Sequence, residues 1–401
     1  MGDDVAAFTS RLRRELHADP EVGLHLPRTQ AKLLGALEGL PLEISTGTTC
    51  SSITAVVRGE TPGPTVLLRA DMDALPVVEQ TGLPFAASGS AMHACGHDLH
   101  ASMLAGAAHV LSARRHHLAG DVVLAFQPGE EVGQGAAHML AEGLLTASGS
   151  RPVAAFALHV MSFGLPAGML AGRPGPMMSG AARLEVVARG HGGHGSAPHR
   201  AADPVQAAAS MITELQVAVT RGFDPFDPVV LTVGRIRGGE AHNVIPDVAG
   251  FEATVRCFTP GAAERLRVVL PRVCRGIAMA HGVEVDVDLV SLFPPTVNDD
   301  DETRWALEHG RNELGAASVQ VMADPVAASE DFSLVLAEVP GSMLLLGATP
   351  DGIEPAAAPY NHSPEADFDE GVLATGARLY ASLAEQRLVT SAHQCKSPDA
   401  E

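Results

Sequence analysis

Thr65-Val-Leu-Leu-Arg-Ala-Asp-Met-Asp73 is an apolar run that ends in two carboxylates. An apolar stretch without alternation belongs to a strand covered on both faces, the situation of a parallel sheet between helical layers. In open α/β sheets ligands bind beyond the carboxyl ends of the strands, which is where Asp71 and Asp73 stand. Runs of the same kind recur, and the predicted strands are Ser52–Val57, Thr65–Arg69, Val122–Phe126 and Val153–Leu158, with Met343–Leu346 near the other end. Glu130 and Glu131 follow one of them and His159 another. Ala101–Ser112, rich in Ala, Leu and Met, predicts a buried helix.

From Ala182 onward the pattern changes. Arg183-Leu-Glu-Val-Val187 and Val283-Glu-Val-Asp-Val-Asp-Leu289 alternate strictly, as strands buried on one face do. Two helical stretches, Asp203–Arg221 and Ala262–Met279, interleave with four such strands. The order strand, helix, strand, strand, helix, strand predicts a ferredoxin-like α+β sandwich. Gly172–Gly180 and Phe293–Val297, rich in Gly, Pro and small residues, read as its linkers. The fold expected is therefore α/β: a mostly parallel-sheet domain from residues 1–178 and 296–401, interrupted by a second domain at 179–295. A chain of 401 residues fits this division, since single cores stop growing at roughly 250–300 residues. The stretch from Thr390 to Glu401 reads as a loose tail.

With 46% hydrophobic and 18% charged residues, the chain is a globular protein rather than a disordered one. A formal net charge of −20, with no basic run to offset it, argues against nucleic acid as a partner. Met1–Arg14 has no apolar core, so neither a signal peptide nor a transit helix is expected, and no run of apolar residues reaches membrane-spanning length. The cysteines, Cys50, Cys95, Cys257, Cys274 and Cys395, are odd in number and scattered. That spacing suits a reducing cytoplasm better than a disulfide framework.

Met92-His-Ala-Cys-Gly-His-Asp-Leu-His100 packs three histidines, a cysteine and an aspartate into nine residues. Thiolate and imidazole are borderline-soft ligands for zinc, nickel, cobalt or manganese, and carboxylates complete such sites. The glycine between Cys95 and His97 lets both side chains turn towards one point. In Phe126-Gln-Pro-Gly-Glu-Glu131, two adjacent carboxylates close an apolar strand; one can bind a metal while its neighbour acts as a general base.

Together these segments resemble the hippurate hydrolase and N-acyl-amino-acid amidohydrolase group, within the metallopeptidase superfamily of aminoacylase and carboxypeptidase G. The resemblance runs through Arg13-Arg-Glu-Leu-His17, Arg69-Ala-Asp-Met-Asp-Ala-Leu-Pro76 and His191-Gly-Gly-His-Gly-Ser-Ala-Pro-His199. It continues through Asn243-Val-Ile-Pro246, Thr254-Val-Arg256, Ser329-Glu-Asp-Phe-Ser333 and His362-Ser-Pro364. It implies a di-metal catalytic domain with Cys95 as a bridging thiolate and His97, Glu131, His159 and His362 as the other ligands. Asp71 and Asp73 would orient those ligands. Zinc or manganese would serve, or nickel or cobalt.

The same resemblance makes Glu130 the general base for a metal-bound water that attacks the amide of an N-acyl amino acid or related small amide. His194 would stabilise the oxyanion in the site of a partner chain, so the inserted domain becomes a lid and dimerisation domain. Asn243 and Arg256 would hold the substrate. Leu24-His-Leu-Pro-Arg-Thr29 departs from the group's pattern, as do Asn361 before His362 and Glu365 after Pro364, so substrate preference does not transfer. Two other readings stay open: a thiol amidase with Cys95 as nucleophile, and a metal- or peptide-binding relative without turnover.

Overall fold

The computed structural model describes residues 2–394. They form two compact units, one from 2–175, Asn298–Asp324 and 334–394, the other from Pro176–Val297 and Pro325–Ser333.

The first unit is built on an eight-stranded sheet. In spatial order its strands are Leu42–Thr46, Ile53–Val57, Asp121–Gln127, Thr65–Asp71, Pro152–Met161, Gly341–Gly347, Leu170–Gly172 and Val319–Val321. The four central strands are mutually parallel. Antiparallel pairings flank them on both sides, so the sheet is mixed, with parallel order confined to its centre and the outermost pair. Thr65–Asp71 and Gly341–Gly347 are buried along their whole length, which is why their sequences do not alternate. The edge strand Leu42–Thr46 is mostly exposed and too polar to announce itself.

Nearly every residue of the helix His97–Ala113 is buried. It begins four residues before the predicted start, because Gly96 adopts φ 82° and caps it, a conformation that a side chain would strain. A Cβ on Gly96 would also lie 2.3 Å from Val160 Cγ2. The first metal-type ligands of the sequence therefore stand at a helix N-terminus. The expected loose tail is corrected in part: the helix Leu373–Gln394 continues past Thr390, anchored by the buried Leu388 and Ser391, and 395–401 lies outside the described residues. No helix among the described residues is long and apolar enough to cross a membrane.

In the second unit the strands Gly180–Arg189, Val230–Gly238, Val248–Cys257 and Glu284–Phe293 are joined by helices Pro204–Gly222 and Pro260–His281. Numbered along the chain, the strands lie in the spatial order 2-3-1-4 and every neighbour is antiparallel, the β-α-β-β-α-β arrangement of ferredoxin-like folds. Met211, Leu215, Leu266 and Leu270 from the helices pack with Leu184, Val186, Phe251 and Val255 from the sheet. Asp203 and Thr259 cap the helices through their side-chain oxygens, each followed by a proline, which fits a first helical turn without loss.

The expected linker Gly172–Gly180 is not irregular: Gly175–Met178 is a short strand. Val326 N–H donates to Met177 O at 2.9 Å and Ser179 N–H to Ala328 O at 2.9 Å, which ties Pro325–Ser333 into the second unit. Local composition cannot report partners that lie so far along the chain.

Tyr380 joins two central strands of the first unit. Its buried hydroxyl accepts from Leu158 N–H at 2.9 Å and donates to Arg69 O at 2.7 Å. Tyr380→Phe would take the hydroxyl acceptor from the buried Leu158 N–H, at about 1–3 kcal/mol. We expect a lower denaturant midpoint with unchanged secondary structure, measured by chemical unfolding; an unchanged midpoint would contradict this account of the strand junction.

Candidate metal centre

Six residues expected at the site converge in the first unit. His97 and Cys95 stand at the start of the helix His97–Ala113, Glu130 and Glu131 on the turn after Asp121–Gln127, His159 near the end of Pro152–Met161, and His362 on a loop. His362 is held at φ 75°, the one non-glycine residue with positive φ among those described. Such backbone costs of order 1–3 kcal/mol and persists where its surroundings enforce it. Here His362 N–H donates to Ala94 O at 2.8 Å.

Cys95 Sγ lies 3.4 Å from His159 Nε2 and 3.2 Å from His362 Nε2, and His362 Nε2 lies 3.4 Å from Glu131 Oε1. Ligand atoms of Cys95, His97 and His159 fall within 4.8 Å of one another, as do those of Cys95, Glu131 and His362. The two triads share the thiol. A third grouping on the same scale contains His97, Glu130 and Glu131, so both acids of the pair face the centre.

Whether these residues fit a pair of ions can be tested on their own atoms. Bonds of about 2.0–2.3 Å at tetrahedral angles separate two ligand atoms by roughly 3.3–3.8 Å, and the contacts above fall in or just below that range. His97 Nδ1 faces Asp73 Oδ1 at 3.5 Å, and His97 Nε2 faces Glu131 Oε1 at 3.8 Å, both buried and neither in a well-formed hydrogen bond. Poorly satisfied buried polar atoms are costly, and a cation between His97 Nε2 and Glu131 Oε1 would satisfy both. His159 Nδ1 lies 2.8 Å from Val160 O, an acceptor only, so Nδ1 carries the proton and Nε2 turns its lone pair towards Cys95. That is the tautomer a metal-binding imidazole needs. The donor set fits.

The electrostatics agree. Burial disfavours charge on His97, yet Asp71, with Asp73 and Cys95, outweighs it and holds the ring well above the ordinary imidazole value. His362 is pushed up to about 10 by its hydrogen bonds to Cys95 and Glu131. The pocket thus stabilises positive charge at its centre. Burial alone would raise Asp71, but His97, Arg69 and His100 hold its carboxyl well below the usual range.

Asp71 and Asp73 adjoin the cluster in different ways. Asp73 accepts from the backbone N–H of Glu130 at 3.0 Å and of Glu131 at 3.1 Å, and this fixes the turn that carries both acids. Asp71 accepts from Arg69 Nη1 at 2.6 Å and lies 2.5 Å from His100 Nδ1.

Beneath the helix start is a buried ion network. Arg13 Nε donates to Asp98 Oδ2 at 2.9 Å, and His17 bridges Asp98 at 2.8 Å and Glu79 at 3.0 Å. Burial works against charge on His17, but Asp98 and Glu79 raise it to about 9.

His194, Asn243 and Arg256 belong to the second unit. His194 pairs with Val244 across two short strands, which brings Asn243 O within 2.8 Å of Gly195 N. Ser196 N–H donates to His194 Nδ1 at 3.1 Å, so the proton of this exposed ring rests on Nε2. Arg256 Nη1 donates to Ser329 Oγ.

Two residues without an assigned role prove to be built into the centre. His100 lies one turn beyond His97 on the same helix face, a spacing visible in the sequence. Asn361 donates from Nδ2 to Val160 O at 3.1 Å and to Cys95 O at 3.3 Å, and accepts from Ser162 N–H at 3.1 Å. It clips the Cys95 turn and the His159 strand to the loop of His362, something no local pattern signals.

Comparison with known proteins agrees with this geometry. Residues 67–386 match the model of peptidase family M20/M25/M40. The chain is 38% identical over 396 residues to the IAA-amino acid hydrolase ILR1-like 2 of Arabidopsis thaliana, covering 96% of this chain and 86% of that one. It is 35% identical over 383 residues to the N-acetylcysteine deacetylase of Bacillus subtilis, covering 94% and 97%. The crystal structure of a Bacillus subtilis dinuclear metal binding peptidase from the M20 family superposes with a TM-score of 0.83 at 31% identity, over 97% of this chain and 99% of that one. This chain, with its candidate metal-ligand clusters, is a metal-dependent hydrolase of amide bonds and belongs to peptidase family M20/M25/M40.

Proposed function

We propose that the protein hydrolyses the amide of an N-acyl amino acid or a closely related small amide, with Glu130 as general base. The observation that carries this reading is the pair of triads sharing Cys95, with the Glu130 carboxylate beside His97 and Glu131. The names of its relatives, an IAA-amino acid hydrolase and an N-acetylcysteine deacetylase, support the substrate class.

Cys95, His97 and His159 would hold one divalent ion and Cys95, Glu131 and His362 the other, zinc or manganese being best suited to this mixed set. When bound, the ions polarise the amide carbonyl and acidify water. Glu130 takes the proton from the attacking water as the new C–O bond forms, and delivers it from its carboxyl to the nitrogen as the C–N bond breaks. The products are a carboxylic acid and an amine. Asp73 keeps the base in place by gripping the backbone on which it rides.

His194, with its proton on Nε2, has the tautomer required to donate to an oxyanion. Asn243 and Arg256 offer an amide and a guanidinium fork for the substrate's carboxylate or amide oxygen. In this reading the second unit is a lid and dimerisation domain, and His194 serves the partner's site in a homodimer. The unpaired thiols of Cys50, Cys95, Cys257 and Cys274 accord with a cytoplasmic setting.

Chelation should abolish hydrolysis of N-acetyl, N-benzoyl or longer N-acyl amino acids, and a divalent ion should restore it. Full activity in metal-free protein, blocked by thiol alkylation, would instead identify Cys95 as a nucleophile.

Glu130→Gln should keep its metal and lose about 10²–10⁴ in turnover, the usual worth of general acid–base catalysis. Glu131→Gln should lose metal. Metal analysis and kinetics on both variants decide this, and the opposite pattern would exchange the two roles.

Mixing inactive His194→Ala with inactive Glu130→Gln should restore part of the activity, because a heterodimer would hold one site with both residues intact. Mass measurement would confirm the heterodimer; its presence without activity would place His194 in its own chain's site or outside catalysis.

A further inference from the structure

The strands Thr65–Asp71 and Pro152–Met161 pair only as far as Arg69 and Ala157. Past that point they part, and donors of the second strand are taken up by side chains. Leu158 N–H goes to the hydroxyl of Tyr380, which in turn donates to Arg69 O. Two residues on, Val160 N–H donates to His100 Nε2 at 2.7 Å, and His100 Nδ1 lies 2.5 Å from Asp71 Oδ1. Both bridges run from one strand, through a side chain, to the other.

The second bridge determines the tautomer. An N–H can only donate, so His100 Nε2 carries a lone pair and the proton is on Nδ1, directed at Asp71. Arg69 holds the other oxygen of Asp71 and donates from Nε to Gln127 Oε1 at 3.0 Å, which fixes the far end of the chain. At the near end, Val160 O accepts from His159 Nδ1 and from Asn361. Val160 is thus held at its N–H by His100 and at its carbonyl by the residues that surround Cys95. The His100 ring also lies against that of His159, with centroids 4.6 Å apart and planes at 59°. His100 is fully buried.

We infer that His100 is a positioning residue that sets the His159 imidazole for metal binding, by bridging Asp71 to the backbone of Val160. It adjoins His97 and Asp71, but with Nε2 taken by Val160 N–H and Nδ1–H directed at Asp71 it has no lone pair left for an ion. It acts by stopping rotation of the strand segment whose carbonyl selects the His159 tautomer. Groups that orient metal-binding histidines in this manner are typically worth 10–100-fold in metal affinity. The inference rests on the metal-centre reading above, and the test separates the two.

Zinc affinity and stoichiometry would be measured on the full chain by competition with a chromophoric chelator, for the unaltered protein, His100→Gln and His100→Leu. Circular dichroism would verify the fold. The leucine variant should bind zinc about 10–100-fold more weakly, and glutamine, whose amide oxygen can accept from Val160 N–H, should recover most of that loss. An unchanged affinity in the leucine variant, or an equal loss in both, overturns the inference. Failure of the unaltered protein to bind zinc would instead count against the metal-centre reading.

If the leucine variant does not fold, ¹⁵N-histidine NMR of the unaltered protein still decides the point, with the signal assigned by its absence from His100→Gln. A proton on Nδ1 supports the bridge, and a proton on Nε2 overturns it.

Discussion

The parting of two neighbouring parallel strands is the constraint on which the centre depends. A cavity at the carboxyl end of a sheet opens only where strands stop pairing, and the backbone groups released there are buried and must find other partners. In this protein Tyr380 and His100 supply them on one side, and Asp73 holds the turn of Glu130 and Glu131 on the other. The side chains that close the gap in the sheet are the ones that fix the ligand-bearing segments. Fold stability and site geometry therefore draw on the same hydrogen bonds.

The charge distribution follows from the same burial. Asp71, Asp73, His97, His100 and Asp98 are each at most 1% exposed, and such groups are tolerated only when paired. Arg69 and His100 compensate Asp71, while Arg13 and His17 compensate Asp98. His97 and Glu131 keep buried atoms whose nearest protein partners, Asp71, Asp73 and His362, stand at 3.4–3.7 Å, longer than a good hydrogen bond. That remainder is what a bound cation would satisfy.

The first unit concentrates thiol, imidazole and carboxylate lone pairs at one point, on strand ends and a helix start, where backbone geometry is stiff. The second unit carries His194 on a short strand, with its proton on Nε2, and Arg256, whose Nη1 donates to Ser329 Oγ.

Much of this was legible along the chain. Unbroken apolar runs ending in Asp71, Glu130 and His159 announced the parallel centre of the sheet and the position of the site, and the alternation after Ala182 announced the second unit. Those signals are local, since burial on one face or two imprints a period on consecutive residues. Cys95, His97 and His100 were adjacent enough to be read as one constellation.

What the sequence could not report lies in contacts between distant segments. The antiparallel pairing of Gly341–Gly347 with Leu170–Gly172, the attachment of Pro325–Ser333 to the second unit, and the Asn361 clip all join residues separated by more than a hundred positions. The bridge from Asp71 through His100 to Val160 likewise joins three segments that no local pattern connects. A residue's neighbours in sequence determine its preferred backbone and its face. Which lone pairs meet at 3.2–3.4 Å, and which tautomer each histidine adopts, is decided only when the tertiary structure removes water and leaves each buried donor a single acceptor.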